Sequence, residues 1–155
     1  MTDERQLIEK LLRIEALFAR AGTDLAAMSA GDLATIALRE TLARSGLDGS
    51  EVDETILGCV GPEAAESNVA RVAARRAGIP ARVPALTVGR NCASGFEGIT
   101  AAAQRLAAGQ GEFFVVGGTE SMSNYPLLLR REFARALDGA KRAKGLPAKA
   151  AALMR

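Results

Sequence analysis

Few side chains in this chain can do covalent or acid–base chemistry. Its 155 residues include two cysteines, Cys59 and Cys92, and no histidine. No Cys–His pair or Ser–His–Asp triad can therefore be completed within it. Cys92 stands in Arg90-Asn91-Cys92-Ala93-Ser94-Gly95, between a strand-like and a helix-like pattern. A thiol at a helix start meets backbone N–H groups without intrahelical acceptors and the positive end of the helix dipole. Both favour the thiolate, and the same N–H groups can stabilise an oxyanion on an acylated sulfur. Position alone leaves two readings open: Cys92 as a nucleophile, or as the small buried hydrophobe that a free cysteine usually is. Cys59, within Gly58-Cys59-Val60, reads as core. Gly117-Gly118-Thr119-Glu120 suits either backbone contacts to a ligand or a tight turn. Glu97 and Glu120, the carboxylates nearest the Cys92 helix in the pattern, are expected to be solvated or salt-bridged, with Glu97 on the solvated side.

The elements that must position these residues follow from periodicity. Residues Asp32 to Ser45 place Leu33, Ile36, Ala37 and Leu42 at helical spacing, with Ser29 or Asp32 as N-cap and Gly46 as stop. Glu54 to Val60 reads as a strand ending at Gly61-Pro62, and Asn68 to Ala77 as a helix closed by Gly78 and Pro80. Val83 to Val88 is a second strand whose early Pro84 suits an edge or a strand start. Cys92 to Ala108 is a helix with Phe96, Ile99, Ala103, Leu106 and Ala107 apolar, followed by Gly109. Phe113 to Val116 is continuously apolar and ends at Gly117-Gly118, as a strand buried on both faces would. Strand and helix in alternation predict βαβ crossovers and a parallel sheet, an α/β fold. Glu4 to Leu17 reads first as an amphipathic helix, although Leu12 to Ala16 also alternates as a strand does. Beyond Arg130 the pattern is helical, with breaks expected at Gly139 and Gly145-Leu146-Pro147.

Composition bounds the function. At 48% hydrophobic and 25% charged residues the chain is one ordinary globular domain. No apolar run reaches the ~20 residues that span a bilayer, and the charged N-terminus lacks the apolar stretch of a secretory signal. A cytoplasmic protein with no membrane partner is expected. Residues 130 to 155 carry eight Lys/Arg against Glu132 and Asp138, a local +6, which leaves the preceding 129 residues at −4. Such a segment can bind phosphates, yet no aromatic residues alternate with its charges to stack bases, so nucleic acid is not expected as a partner. The alternative reading is a solvated helix face.

Two stretches together carry a resemblance: Val88-Gly89-Arg90-Asn91-Cys92-Ala93-Ser94-Gly95-Phe96-Glu97-Gly98-Ile99, and Val115-Val116-Gly117-Gly118-Thr119-Glu120-Ser121-Met122-Ser123. With Phe18-Ala19-Arg20-Ala21-Gly22-Thr23 and the Gly58-Cys59-Val60 strand in order upstream, the chain resembles the N-terminal half of thiolases, the acyl-CoA C-acyltransferases. The Asn91-Cys92 and Thr119-Glu120 motifs separate it from the related ketoacyl synthases. The resemblance implies thiolytic cleavage of a 3-oxoacyl-CoA, or Claisen condensation of acyl-CoAs, as in fatty acid metabolism. Coenzyme A is then a substrate and no cofactor is needed. It implies that Cys92 is the acyl-accepting nucleophile, with its backbone N–H in the oxyanion hole. It also implies a three-layer βαβαβ half with a mostly parallel sheet, read as truncated.

The division expected is 1–17 as a non-family helical segment, 18–129 as the α/β domain, and 130–155 as the basic start of the region that covers coenzyme A. In the family reading the sheet is ordered 3-2-1-4-5, and the central first strand is missing here. Glu54–Val60 and Phe113–Val116 are accordingly expected not to be neighbours, each leaving an unpaired edge. The activating histidine, the second cysteine and the other histidine motif of the family are absent. The chain is thus expected to be inactive alone and to act as a homo-oligomer or with a thiolase C-terminal half. The alternative is a non-catalytic assembly module that dimerises through Val83–Val88.

Overall fold

The computed structural model describes residues 19–127 and 129–145. The segment Glu4 to Leu17 and the Leu146-Pro147 break lie outside them. Helix α1 spans Ala30–Ser45. Ser29 caps it: its hydroxyl accepts from the Asp32 N–H at 3.0 Å, and the Asp32 carboxylate accepts from the Ser29 N–H at 3.3 Å. This reciprocal box satisfies two N–H groups that a helix start otherwise leaves bare. At the other end Gly46 adopts φ 69°, a left-handed conformation that glycine enters without a Cβ clash.

Strand β1 (Glu54–Gly58) leads through a single 3-10 turn to α2 (Val69–Arg76), capped by the Asn68 side chain. Strand β2 (Ala85–Val88) starts just after Pro84 and lies at the sheet edge. Helix α3 (Ser94–Ala107), strand β3 (Phe114–Gly118) and helix α4 (Arg131–Arg142) complete the order. The sheet is parallel throughout, in the order β2-β1-β3.

The expectation that β1 and β3 stand apart is overturned. They pair directly over their whole length, from Glu54 opposite Phe114 to Gly58 opposite Gly118. The pairing fits their chemistry, because each brings a β-branched pair (Thr55 with Ile56, Val115 with Val116) and ends in glycine at the same level. Unpaired edges among the described strands are therefore the outer sides of β2 and β3 only. Phe113–Val116 is also not buried on both faces: of β3 only Val115 is buried, as befits an edge strand. The helix beyond Arg130 passes through Gly139 without a break.

The layers follow from the period-two alternation of the strands. Leu57, Cys59 and Val115 join Ala30, Ala34 and Leu38 of α1 and Val69, Ala70, Ala73 and Ala74 of α2 in one buried cluster. On the opposite face α3 rests on β1 and β3 through small residues. A Cβ on Gly98 would lie 3.1 Å from Val116 Cγ1, and a Cβ on Gly58 would overlap the Ser94–Gly95 peptide. The result is an α/β/α sandwich in which the start of α3 sits directly on the carboxyl end of β1.

Candidate active site

The turn that carries Cys92 is built from its neighbours' hydrogen bonds. Asn91 has φ 47°, the one non-glycine among the described residues in the left-handed region. Asparagine enters that region more readily than most side chains, which makes Asn91 the hinge between β2 and α3. The Ser94 hydroxyl, buried, accepts from the Arg90 N–H and donates to the Asn91 carbonyl, both at 2.7 Å. The Ala93 N–H donates to the Arg90 carbonyl at 3.0 Å, and the Arg90 guanidinium pairs with Glu97 at 2.7 Å. Glu97 is thus a clamp across the turn, with its side chain mostly shielded rather than on a solvated side.

Helix α3 begins at Ser94, two residues later than the sequence pattern suggested, so Cys92 lies in the turn ahead of the helix. It is exposed, whereas Cys59 is buried. Burial first, and the adjacent Glu120 carboxylate second, push the Cys59 thiol up to about 11. Cys59 is core, as its setting in the sequence indicated.

Glu120 holds the loop that leaves β1. Its carboxylate accepts from the Val60 N–H at 2.8 Å and the Gly61 N–H at 3.1 Å, with the Cys59 thiol at 3.8 Å. Gly117 and Gly118 finish β3 rather than forming a turn, and the Thr119 N–H continues toward β1 by donating to the Gly58 carbonyl at 2.9 Å. The hydroxyls of Thr119 and Ser121 donate to the carbonyls of Ala30 and Met28, each at 2.8 Å. The Asn124 amide donates to Ala26 and Met28. This polar seam ties the entry of α1 to the exit of β3.

Between α1 and the β1–β3 part of the sheet opens a cleft of about 900 Å³. Leu33, Ala37 and Leu38 wall it on one side and Leu57 and Val115 on the other. At the carboxyl ends of the strands it is lined by Cys59, Asn91, Cys92, Ser94 and Glu120. Parallel sheets bind their ligands at that end, because the loops there are free to carry function. The structure thus brings Cys92 and Glu120 to one cleft and leaves Glu97 clamped to Arg90. Sequence reasoning missed Ser94 and Asn91 as the builders of the turn, although an Asn ahead of a helix start is a signal for a left-handed residue. It also missed Glu66, whose buried carboxylate accepts from the Gly31 N–H at 2.9 Å and pairs with Arg76 at 2.6 Å. Nothing in the local sequence marks that contact, which spans 35 positions.

Comparison with known proteins gives one consistent result. The family described as thiolase, N-terminal domain, matches residues 14–153. A 3-ketoacyl-CoA thiolase of Bacillus subtilis is 41% identical over 105 residues, covering 67% of this chain and 27% of that protein. A beta-ketoadipyl-CoA thiolase of Pseudomonas aeruginosa is 41% identical over 112 residues, 71% of this chain and 28% of its own length. Among solved structures, the acetyl-CoA acetyltransferase of Bacillus anthracis superposes with a TM-score of 0.68 at 39% identity, covering 71% of this chain and 28% of that one. A thiolase from Ascaris suum in complex with coenzyme A gives 0.69 at 32% identity, over 72% and 29%. The chain spans little more than a quarter of the length of these relatives.

Proposed function

The chain belongs to the thiolase family, and on that premise we propose that it performs the acyl-accepting half of a thiolase reaction, with Cys92 as the nucleophile. The Cys92 thiolate attacks the carbonyl carbon of an acyl-CoA. A carbon–sulfur bond forms to Cys92, the bond to the coenzyme A sulfur breaks, and coenzyme A leaves as its thiolate. The backbone N–H of Cys92 donates to the oxyanion that develops in between. The observation that carries this reading is the contrast between the two thiols. Cys92 is exposed at a cleft beyond the strand ends, while Cys59 is buried and held as the thiol.

Without histidine, the chain has no imidazole to act as general base on the nucleophile or on a substrate carbon. Turnover in either direction, thiolytic or condensing, therefore needs groups that these 155 residues do not contain, the histidines and second cysteine of the family. Coenzyme A is substrate and leaving group in this reading, and the basic residues between Arg130 and Lys144 supply positive charge for its phosphates.

Intact mass spectrometry of the full chain after incubation with acyl-CoA tests the proposal. An adduct of one acyl group on the native chain, lost in Cys92→Ser, is the expected result. A cooperatively folded chain that takes no adduct, or an adduct that persists in Cys92→Ser, overturns it. Steady-state thiolysis of acetoacetyl-CoA by these residues alone overturns the need for further groups.

A second reading, a non-catalytic assembly module, draws on the unpaired outer edge of β2. An exposed edge offers backbone donors and acceptors to another strand. Strictly monomeric behaviour, alone and mixed with a full-length thiolase, rules it out.

A further inference from the structure

Both cysteines line the cleft between α1 and the sheet. Either sulfur, as its thiolate, is a nucleophile toward a thioester, so the cleft holds a competing acceptor beside Cys92. Glu120 meets that competitor. Three successive residues at the exit of β1 donate to its carboxylate. The Val60 N–H donates to Oε2 at 2.8 Å, while the Gly61 N–H at 3.1 Å and the Cys59 thiol at 3.8 Å share Oε1. The two backbone bonds fix the carboxylate in place against a thiol 61 positions away in the chain. Tying down the loop needs only the N–H groups; the thiol contact is additional. A thiolate has no proton to donate, and beside a carboxylate it is a second negative charge taken out of water.

We propose that Glu120 is a positioning residue that sets thiol specificity: by engaging the Cys59 thiol as a hydrogen-bond donor, it leaves Cys92 as the single acyl acceptor of the cleft. The inference rests on the reading of Cys92 as the nucleophile. Without Glu120, a Cys59 thiolate attacks the carbonyl carbon of an acyl-CoA. A bond forms to Cys59, the bond to the coenzyme A sulfur breaks, and coenzyme A leaves as its thiolate. The acyl group is then stranded on a buried sulfur. Burial, then the Glu120 charge, push the Cys59 thiol up, and the Glu66 carboxylate adds to this from the 3-10 turn, while the Gly61 N–H acts the other way. Glu66 is paired with Arg76 at 2.6 Å. No salt bridge engages Glu120 among the described residues, so its charge acts on Cys59 without a neutralising cation.

Alkylation of the full chain by iodoacetamide over a range of pH, located by peptide mass spectrometry, tests this first. In the native chain Cys92 is expected to label rapidly and Cys59 slowly. Glu120→Gln keeps an oxygen for the loop and loses the charge. Cys59 is then expected to label about tenfold faster at about pH 9, the effect of one unit in a thiol's value. The midpoint of its pH profile is expected to fall below the native value of about 11. A midpoint as low as about 8.5, that of a thiol in an unfolded chain, reports local opening and overturns the proposal. So does a Cys59 that labels at the native rate. Acetyl-CoA supplies the second arm: the acetyl group is expected on Cys92 alone in the native chain and on both cysteines in Glu120→Gln. Confinement to Cys92 in the variant overturns the proposal. A native chain that alkylates at Cys92 yet takes no acetyl group overturns the acyl-acceptor reading instead, and the iodoacetamide arm still decides whether Glu120 selects the thiol. Should Glu120→Gln not fold, the infrared S–H band of native Cys59 decides, assigned by its loss in Cys59→Ala. It is expected at the lowered frequency of a hydrogen-bonded thiol, and the frequency of a free thiol overturns the proposal.

Discussion

Two cysteines of the same chain are placed so differently that their chemistry diverges. Cys92 is open to reagents in its turn, while Cys59 lies under α1 and beside Glu120. A thiol-specific disulfide reagent at neutral pH is expected to titrate one thiol rapidly in the native protein and two after denaturation. Cys92→Ser should remove the rapid one. Because folding raises the Cys59 thiol to about 11, the native state prefers the protonated form. The stabilisation is complete below the unfolded thiol's value of about 8.5 and declines as pH rises from there through 11. Denaturant melts in alkaline buffer should show this loss, and Cys59→Ala should flatten it. Thr55 makes a different case: its hydroxyl is buried in mid-sheet with no partner among the described residues. Replacing that hydroxyl by a methyl removes an unmet polar group, so Thr55→Val is expected to stabilise by about 1 kcal/mol in urea unfolding.

Among the elements, the β2–α3 turn depends on one buried serine. Ser94 satisfies the Arg90 N–H and uses the Asn91 carbonyl, which holds the left-handed residue next to Cys92. Ser94→Ala removes the acceptor of the part-buried Arg90 N–H and the donor to the Asn91 carbonyl, so a loss of about 1 kcal/mol is expected. Cys92 acylation should slow in parallel, as mass spectrometry against time would read. Slowed acylation with unchanged stability would instead point to direct contact between Ser94 and substrate. Glycine at position 58 is equally specific. Any side chain there meets the Ser94–Gly95 peptide, so Gly58→Ala should lift α3 from β1 and lower the melting temperature.

For the molecule as a whole, Asp53 joins the start of β1 to the start of β3 at the base of the sheet. Its carboxylate accepts from the Phe113 N–H at 2.9 Å and the Glu112 N–H at 2.7 Å. The Phe113 hydrogen bond, then that of Glu112, holds the Asp53 carboxyl below the usual carboxylate range. A depressed folded value means the contribution is present above the unfolded value of about 3.9 and is lost as pH falls through the folded one. Acid titration of stability should therefore be shallower in Asp53→Ala than in the native chain below about pH 4. No helix among the described residues is long and apolar enough to cross a membrane. Helix α4, with Arg131, Arg135, Lys141 and Arg142, has no buried residue.

Local chemistry alone determined much of this. Caps and breakers set the helices, since Ser29 with Asp32, Asn68 and Gly46 act within a turn of themselves. β-Branched runs set the strands, and a cysteine between strand and helix marked the candidate site together with the motif that places it in a family. The tertiary structure decided what depends on distant partners. Pairing of β1 with β3 brings together residues some 60 positions apart, and no local pattern encodes which strand completes an edge. The same holds for the Glu120 clamp on Val60 and Gly61, and for Glu66 at the start of α1. Whether a helical apolar residue is core or surface also escaped the periodicity. Phe96, Ile99 and Leu106 have helical spacing, yet it is Ser94, Gly98 and Ala102 that meet the sheet, because only small residues let α3 approach β1 so closely.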